Sequence, residues 1–496
     1  MCKNSEIITV MIAAVNIELY RYEIHSLLKA FYPEEDVRVV VTGQEPRKKK
    51  DLGIPWIYID YAQDSIRVRI PEEDRSAALQ APAGDNYAAK GPACKGALKH
   101  LLYDFLNACT GKSLPWGELI GIRPTKIAMQ HMAAGASAEE TAAYMEKEFR
   151  VSREKSLLAV DIAERERRIL SDIHYKDGYS LYVGVPFCPT TCLYCSFTSF
   201  PIAAWRERVD AYLDALIREI RETSGLMKGR ILDTVYIGGG TPTTLEPDQL
   251  DRLLTAIETW FPMDRIQEFT VEAGRPDSIT AEKLRTLRRH KITRISVNPQ
   301  TMKEETLKII GRRHTVDQTV QAFRLARQEG FDNINMDIIL GLPEETPEDV
   351  AETLRRIEEL DPDSLTVHSL AVKRASRLQQ WIEQNGFSAL NNTDESMRIA
   401  AEGAARMGMV PYYLYRQKNM SGNFENVGYA REGRYGIYNI LIMEETQSIL
   451  ALGAGSISKA LFENGRIERA DNCKDVATYI ETIEEMIARK RRLFGL

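Results

Sequence analysis

The sequence predicts an α/β protein built around a partial (β/α)6 barrel, with an N-terminal α+β domain and a mostly helical C-terminal domain. Three observations lead to this fold class. Short apolar runs alternate with amphipathic stretches between residues 181 and 371, residues 1–150 mix strand-like and helix-like segments, and residues 372–496 contain two helical stretches. Regular strand–helix alternation is typical of a parallel sheet with helices outside it.

Six apolar runs in the central region predict the barrel strands. They span residues 182–185, 234–237, 269–272, 292–297, 334–340 and 364–369. The amphipathic stretches between them predict the outer helices. They span residues 205–222, 247–260, 280–289, 316–329 and 346–360. Because six units are present, we expect a partial barrel rather than a closed barrel of eight units.

The outer regions are predicted from the same two patterns. Runs rich in Val, Ile and Tyr predict strands at residues 7–14, 37–42, 56–61 and 65–70. A helix is predicted at residues 16–31. The charged segment 151–180 predicts a helical connection to the barrel. In the last region, helices are predicted at 394–407 and 476–489, while 412–415 and 440–443 are interpreted as strands or buried turns.

Composition and charge limit the class of protein. The 496 residues carry 65 Lys and Arg against 71 Asp and Glu, a net charge of −6. An acidic chain is a poor general binder of nucleic acid, so no such partner is expected. The apolar run at 7–15 is too short to span a membrane and lacks a preceding basic region, so neither a membrane partner nor a signal peptide is expected. Seven cysteines, an odd number, favour the reducing cytoplasm over a disulfide framework.

Three cysteines lie close together after the first predicted barrel strand, at Cys188, Cys192 and Cys195. Thiolates at such spacing are the ligands of a four-iron–four-sulfur (4Fe-4S) cluster, and three of them leave one iron open to a small molecule. A zinc site and three separate buried thiols are the alternatives. Zinc would need a fourth ligand, and no His or Cys follows closely, so we predict the cluster.

Glycines and polar residues follow the other apolar runs. Residues 238–240 are three glycines after the second strand, where the backbone can approach a ligand closely. Glu272, Gln300, Asp337 and His368 stand at or near the carboxyl ends of later runs. Polar residues commonly begin loops, but in β/α barrels this end of the strands carries the active site. Four such residues on successive units therefore predict a shared pocket.

The cysteines and glycines, taken with their neighbours, resemble a known superfamily. The spacing of the cysteines is similar to that of radical S-adenosylmethionine (SAM) enzymes. Within that superfamily, residues 182–188 and 238–243 resemble the oxygen-independent coproporphyrinogen III oxidase family. Residues 195–201 and the long N-terminal extension resemble its HemZ branch. The resemblance covers about residues 181–457 and implies a radical SAM barrel.

The resemblance implies the cofactors and the residues that hold them. Cys188, Cys192 and Cys195 are expected to bind the 4Fe-4S cluster, with SAM beside it. The positions that match SAM contacts of the family are Tyr182, Tyr194, Gly239, Gly240, Thr241, Glu272, Gln300, Arg312, Asp337 and Ala371. Ile457 is a further adenine contact, for which core packing is the alternative. Tyr182 is also the expected catalytic residue.

A reaction and its partners are implied by the same resemblance. A reduced cluster would donate an electron to SAM, and the resulting 5′-deoxyadenosyl radical would begin the decarboxylation of propionates. Two such events convert coproporphyrinogen III to protoporphyrinogen IX. The expected partners are therefore a tetrapyrrole substrate and a cytosolic electron donor such as flavodoxin or ferredoxin.

Two departures from the family keep other functions open. Phe197 stands where the oxidases carry a fourth cysteine, and Gly184 stands where they carry a histidine. The alternatives are a HemW-like haem-binding chaperone and another radical SAM enzyme that modifies tetrapyrroles. Residues 434–439 keep only the Tyr of a motif found in the chaperone branch, which favours an enzyme.

Two arginines are the candidate substrate contacts. Arg374 follows the sixth predicted strand, and Arg416 lies in the aromatic segment 412–419. An arginine fork fits a carboxylate, and aromatic walls fit an apolar macrocycle. The alternative is a surface segment whose tyrosines pack on the barrel.

Overall fold

The computed structural model describes residues 10–42, 55–121, 123–174, 177–373, 376–386, 390, 392–416 and 423–495. The chain divides into two compact units. The first comprises Met1–Val160, Trp381–Ala389 and Arg416–Glu425, and the second comprises Asp161–Gln380, Leu390–Tyr415 and Asn426–Leu496. The domain boundaries predicted near residues 150, 180 and 371 stay predictions.

Strands and helices alternate through most of the described chain. The strands are β1 Val10–Val15, β2 Asp36–Val41, β3 Ile57–Tyr61, β4 Ser65–Ile70, β5 Arg75–Gln80, β6 Gly178–Val185, β7 Phe187–Cys188, β8 Phe200–Pro201, β9 Ile231–Gly239, β10 Glu268–Glu272, β11 Arg294–Ser296, β12 Ile334–Leu340, β13 Ser364–Ser369, β14 Val410–Tyr415, β15 Asn426–Ala430, β16 Ser448–Leu452, β17 Ile457–Leu461 and β18 Ile467–Asp471. The helices are α1 Arg21–Phe31, α2 Pro92–Thr110, α3 Pro124–Ala133, α4 Ala138–Phe149, α5 Arg153–Ser171, α6 Val209–Thr223, α7 Pro247–Trp260, α8 Ala281–Arg289, α9 Glu304–Ile309, α10 Val316–Gln328, α11 Pro347–Leu360, α12 Leu378–Asn385, α13 Asp394–Arg406, α14 Ile437–Glu444, α15 Val476–Glu481 and α16 Ile483–Phe494. Of these described helices, none is both long and apolar enough to cross a membrane.

A five-stranded sheet organises the first unit, in the order β2-β1-β3-β4-β5. Strand β1 pairs in parallel with β2 and β3, and the remaining pairs are antiparallel. Its hydrophobic core includes Ile24, Leu28 and Phe31 of α1 together with Leu98 and Leu102 of α2. The spacing of three and four residues places each set on one face of its helix.

An eleven-stranded sheet organises the second unit, in the order β14-β15-β13-β12-β11-β10-β9-β6-β16-β17-β18. Its central strands β6 and β9 to β13 are parallel and follow one another in chain order. The predicted α/β fold with a partial six-unit barrel is therefore confirmed. Two predicted strands, 334–340 and 364–369, coincide with β12 and β13.

Local sequence explains where a barrel helix begins and which side it buries. At the start of α11, Thr346 Oγ1 accepts a hydrogen bond from the backbone N–H of Asp349, and the Asp349 side chain accepts one from the Thr346 backbone. This reciprocal cap satisfies two backbone donors that a helix start leaves without partners. Val350, Leu354 and Ile357 then form one buried side of α11.

One part of the last region differs from the prediction. Residues 440–443 lie within α14, where Tyr438, Ile440 and Leu441 are buried. They do not form a strand or a turn, because a run of four apolar residues fits a buried helix as well as a buried strand. The other short run, 412–415, belongs to β14, and the predicted helix 476–489 is divided between α15 and α16.

Candidate active site

The cysteine loop begins at the carboxyl end of β6 and is tied to the rest of its unit by hydrogen bonds. Cys188 lies in β7, which pairs with β8. The backbone N–H of Leu193 donates to the carbonyl of Ile310 over 2.9 Å. The hydroxyl of Thr190 donates to the carbonyl of Gly311, also over 2.9 Å. These bonds hold the middle of the loop against the segment that follows α9.

The three loop cysteines are free and half-buried. Cys188 Sγ lies 3.5 Å from the hydroxyl of Thr241, and Cys195 Sγ lies 3.9 Å from the hydroxyl of Ser199. Burial raises the pKa of Cys188 to about 11, and the charges of Cys192 and Cys195 add to this rise. Burial also raises the pKa of Cys195. Binding of a metal cluster would release protons from these thiols, because metal ligands are thiolates.

The surroundings of the three loop thiols fit a metal cluster. Among the described residues, no three His, Cys, Asp or Glu side chains are arranged to hold one metal ion. A cluster instead distributes its thiolate ligands over several irons. Positive charge also lies near the loop, because an Arg275 nitrogen is 3.7 Å from Cys192 Sγ and Lys373 favours the charged form of Cys195. Such cations offset the negative charge of several thiolates, so these residues fit the 4Fe-4S cluster.

The glycine run brings β9 against the cysteine loop. Gly239 has a φ angle of 110°, in the left-handed region that favours glycine. A Cβ atom at Gly240 would lie 2.5 Å from the carbonyl oxygen of Phe187 and 3.0 Å from Cys188 Sγ. The absence of a side chain at Gly240 therefore lets the end of β9 lie close to the cysteine loop, which a larger residue would prevent.

Glu272 ends β10, and neighbouring β9 supplies its hydrogen bonds. The phenol of Tyr236 donates to Glu272 Oε1 over 2.5 Å, and the backbone N–H of Gly239 also bonds to this carboxyl group. Burial of the carboxyl group raises its pKa to about 7, and the charge of Asp337 acts in the same direction. Glu272 therefore changes its charge near neutral pH.

Asp337 lies on β12 and is held in the ionised form. The side-chain amide of Asn335 donates to its Oδ1 over 2.6 Å, and His368 Nε2 lies 3.7 Å from its Oδ2. Burial opposes ionisation, but the hydrogen bond and charge of His368, together with the bond from Asn335, lower the pKa of Asp337. An ionised carboxylate is a strong acceptor for amine and hydroxyl groups.

Buried polar atoms without partners lie at the carboxyl end of β11. Gln300 has a φ angle of 68°, and its backbone N–H donates to the carbonyl of Asp337 over 2.9 Å. Its side-chain Oε1, Ser296 Oγ and Asn298 Oδ1 have no hydrogen-bond partner among the described residues. Buried polar atoms are normally bonded, so these three atoms fit the polar groups of a ligand such as SAM.

Other predicted SAM contacts are found on the same unit. Arg312 is buried and donates to the carbonyl of Asn298 over 2.5 Å and to the hydroxyl of Tyr194 over 3.4 Å. Tyr194 is thereby joined to the end of β11. Ala371 follows β13, and Ile457 begins β17 with a side chain that is 44% exposed. Contact of these residues with SAM stays a prediction.

Two tyrosines that were not predicted as site residues stack beside Tyr182. The ring centroid of Tyr182 lies 6.3 Å from that of Tyr236 and 6.2 Å from that of Tyr438. The rings of Tyr236 and Tyr438 are 4.5 Å apart. Tyr236 could have been found from the alternation of β9, since it shares a face with Gly238. Tyr438 lies on α14, far along the chain, and is the Tyr kept from the motif at residues 434–439, but no local pattern indicates that it stacks beside Tyr182.

The two predicted substrate contacts are placed differently. Arg416 belongs to the first unit, where it donates to the carbonyls of Leu119 and Asn423 and lies 5.4 Å from the ring centroid of Trp116. Burial lowers its pKa to about 9. Arg374 lies outside the described residues. Contact of either arginine with propionates stays a prediction.

Phe197 and Gly184, the two positions that depart from the family pattern, both lie in described parts of the structure. Phe197 is 72% exposed, and Lys373 Nζ lies 5.5 Å from its ring centroid. A phenyl ring cannot ligate iron, so this position offers no fourth thiolate. A Cβ atom at Gly184 would find its nearest neighbour, the carbonyl oxygen of Leu452, at 3.4 Å.

The partial barrel and its cysteine loop define a radical SAM protein, and the Radical SAM superfamily model matches residues 182–357. The chain belongs to the HemZ family of oxygen-independent coproporphyrinogen-III oxidase-like proteins. It is 41% identical over 401 residues to the HemZ protein of Bacillus subtilis (strain 168), and the match covers 80% of each chain.

Other relatives match a smaller share of the chain. The heme chaperone HemW of Bacillus subtilis (strain 168) is 37% identical over 195 residues, which cover 39% of this chain and 51% of the chaperone. The oxygen-independent coproporphyrinogen III oxidase of Escherichia coli (strain K12) is 35% identical over 192 residues, which cover 39% of this chain and 42% of the oxidase. The solved structure of HemN, the coproporphyrinogen III oxidase of Escherichia coli, aligns with a TM-score of 0.49 and 24% identity, covering 65% of this chain and 73% of that chain.

Proposed function

We propose that this protein is a radical SAM oxidoreductase of the coproporphyrinogen dehydrogenase type. It would convert two propionates of coproporphyrinogen III to vinyl groups and so give protoporphyrinogen IX. The observation that carries the proposal is the position of Glu272, Gln300 and Asp337 around the carboxyl ends of adjacent parallel strands, at the end of the barrel that also bears the cysteine loop. Membership of the HemZ family supports a tetrapyrrole as the substrate.

Cys188, Cys192 and Cys195 would each ligate one iron of the cluster. When bound, the cluster and SAM supply the electron and the radical that start the reaction. The chain itself keeps the three thiols on one braced loop, and Gly240 leaves room beside Cys188. A preorganised loop binds the cluster without the entropic cost of first ordering the three thiols.

The remaining polar groups would orient SAM. Glu272 and Asp337 would accept hydrogen bonds from its amine and hydroxyl groups, and Gln300 offers an acceptor that has no partner among the described residues. Tyr182, the expected catalytic residue, stacks with Tyr236 and would help to exclude water from the barrel interior. The other proposed contacts are Tyr194, Gly239, Gly240, Thr241, Arg312, Ala371 and Ile457.

Substrate and partners belong to the same proposal. Arg374 and Arg416 would hold propionates of the tetrapyrrole, because an arginine fork fits a carboxylate. A small redox protein such as flavodoxin or ferredoxin would supply electrons, and the reaction would take place in the cytoplasm.

The test is an anaerobic assay of protein reconstituted with iron and sulfide. Coproporphyrinogen III, SAM and a reductant are added, and tetrapyrrole products and 5′-deoxyadenosine are measured by mass spectrometry. Protoporphyrinogen IX formed together with 5′-deoxyadenosine would support the proposal. The control is the triple variant Cys188→Ser, Cys192→Ser, Cys195→Ser, which should form neither product.

Two other outcomes would replace the proposal. Tight binding of one haem per chain without turnover would mark a haem carrier, a function named for the relative HemW. A different modified tetrapyrrole would mark another radical SAM reaction. The matches to the chaperone and to the oxidase cover the same share of the chain, so this assay is needed to separate them.

A further inference from the structure

A buried arginine outside the predicted site contacts the cysteine loop. Arg275 lies in the segment after β10 and is only 3% exposed. Its Nη1 donates to the hydroxyl of Thr190 over 3.0 Å and to the carbonyl of Thr190 over 3.4 Å. The same nitrogen lies 3.7 Å from Cys192 Sγ, within the range of an N–H···S hydrogen bond. One guanidinium group therefore contacts both the loop backbone and one of the three thiols.

The other edge of this guanidinium group is fixed by a carboxylate. Arg275 Nε donates to Asp277 Oδ1 over 2.9 Å, and its Nη2 donates to Asp277 Oδ2 over 2.8 Å. A bidentate pair of this kind fixes the plane of the guanidinium as well as its position. The nitrogen that faces Cys192 is therefore preorganised in the chain itself.

We propose that Arg275 is a positioning residue that hydrogen-bonds the Cys192 ligand and makes reduction of the cluster more favourable. The inference rests on the proposed function, since it needs a cluster on the loop. Reduction transfers one electron from the external reductant to the cluster, and no atom or proton moves with it in this proposal. Asp277 balances the net charge of the guanidinium group, but the N–H edge of Arg275 faces the sulfur and stabilises the added negative charge, because such interactions are strong where water is excluded. Hydrogen bonds to the ligand sulfurs act in the same direction.

A purely structural role is the alternative, and the chain offers a matched control for it. Arg377 also braces the cysteine loop, since its Nη2 donates to the carbonyl of Thr191 over 2.5 Å. Its side chain is exposed, and the structure gives it no contact with a loop sulfur. If bracing alone mattered, loss of either arginine would affect the cluster in the same way.

The test is potentiometric titration of the reconstituted protein, with the reduced cluster followed by electron paramagnetic resonance. In Arg275→Gln we expect the ratio of reduced to oxidised cluster at a fixed potential to fall about tenfold, or about 59 mV for a one-electron couple. Arg377→Gln should have the same midpoint potential as the parent protein. An Arg275→Gln protein that loads a full cluster and keeps the parent midpoint would overturn the inference.

A second variant covers the case in which Arg275→Gln takes up no cluster. Arg275→Lys keeps the charge but lacks the fork that bonds Asp277 and faces Cys192 at once. Its midpoint should lie below that of the parent, and an unchanged midpoint would overturn the inference. A parent protein that binds no iron under the same conditions would instead refute the proposed function, so the two failures are distinguishable.

Discussion

The phenol of Tyr236 donates a 2.5 Å hydrogen bond to the carboxyl group of Glu272, joining the ends of β9 and β10. Burial raises the pKa of Glu272 to about 7, and the charge of Asp337 adds to the rise. Hydrogen bonds from Tyr236 and Gly239 oppose it. An ionised carboxylate accepts hydrogen bonds from SAM more strongly than a protonated carboxyl group, so the protonation of Glu272 links ligand binding to pH.

SAM binding is therefore expected to tighten as the pH rises through about 7, because Glu272 then loses its proton. Glu272→Gln should bind SAM more weakly above this pH and should show a flatter pH profile. Calorimetric titration of the anaerobic, cluster-loaded protein with SAM at a series of pH values measures both effects. A profile that is identical in Glu272→Gln and the parent would exclude Glu272 as the responsible group.

The raised pKa of Glu272 also affects the stability of the SAM-free protein. Between the ordinary value of 4.5 and about 7, folded Glu272 keeps a proton that the unfolded chain has lost. The free energy of unfolding should consequently fall as the pH rises across this range. Glu345 is the matched control, since burial raises its pKa to about 7 as well. Glu345→Gln should reduce the pH dependence of stability yet leave that of SAM binding unchanged.

Loss of the Asp337 carboxylate should weaken SAM binding without removing iron. A hydrogen bond to a charged group is worth about 1.5–3 kcal/mol, so Asp337→Ala should lower the affinity for SAM about ten- to a hundredfold. The visible spectrum of the cluster should stay the same, because Asp337 is not a proposed ligand. Asp317→Ala, in the exposed first turn of α10, serves as the control. Unchanged SAM affinity in Asp337→Ala would contradict the assignment.

A side chain at Gly240 should disturb the cysteine loop. Its Cβ would lie 2.5 Å from the carbonyl oxygen of Phe187, and backbone at this distance must move. We expect Gly240→Ala to hold less iron after reconstitution and to cleave SAM at a lower rate. Gly225→Ala is the control, because a Cβ there meets no atom within 4 Å. Full iron content and parental SAM cleavage in Gly240→Ala would show that the loop tolerates the shift.

Each of the three loop cysteines should be required for the cluster. Cys188→Ser, Cys192→Ser and Cys195→Ser should each lose most of the iron and sulfide bound by the parent, because each removes the ligand of one iron. Cys109→Ser, at a half-buried free cysteine of the first unit, should retain the parental content. A single loop variant with a complete, SAM-responsive cluster would mean that its cysteine is not a ligand.

The barrel could be predicted because its signals are local. Apolar runs of the length of a strand alternate with amphipathic stretches, so β12 and β13 are predicted to the residue. The cysteine loop and the glycines could also be predicted, since each is a short motif directly after a strand. Helix α2 and strand β5 were not predicted. Strand β5 is almost wholly exposed, so it lacks the alternation of a half-buried strand, and α2 begins after a stretch rich in Ala and Gly.

The contacts within the site could not be predicted in the same way. Arg275 and Cys192 are 83 positions apart, and only the pairing order of the strands brings them together. Tyr438 meets Tyr236 through α14, which follows β15, so the alternation that places Tyr236 on one face of β9 does not reveal its partner in the stack. Such contacts depend on tertiary packing, which a linear pattern does not contain.

Arg416 offers a last prediction, in which a structural role and a substrate role give different results. Its guanidinium donates to the carbonyls of Leu119 and Asn423. Arg416→Ala leaves these acceptors without that donor, which should cost about 2 kcal/mol, or about 4–8 °C in Tm for a unit of this size. Differential scanning calorimetry measures this loss, and an unchanged Tm would show that the bonds contribute little.

The substrate role is tested on the same variant below its unfolding temperature. If Arg416 also holds a propionate, decarboxylation of coproporphyrinogen III falls in Arg416→Ala while cleavage of SAM without substrate continues at the parental rate. Arg416→Lys keeps a positive charge but not the planar fork. Its rate of decarboxylation should lie between those of the parent and Arg416→Ala. Parental decarboxylation by folded Arg416→Ala would show that this arginine stabilises the first unit and does not contact the tetrapyrrole.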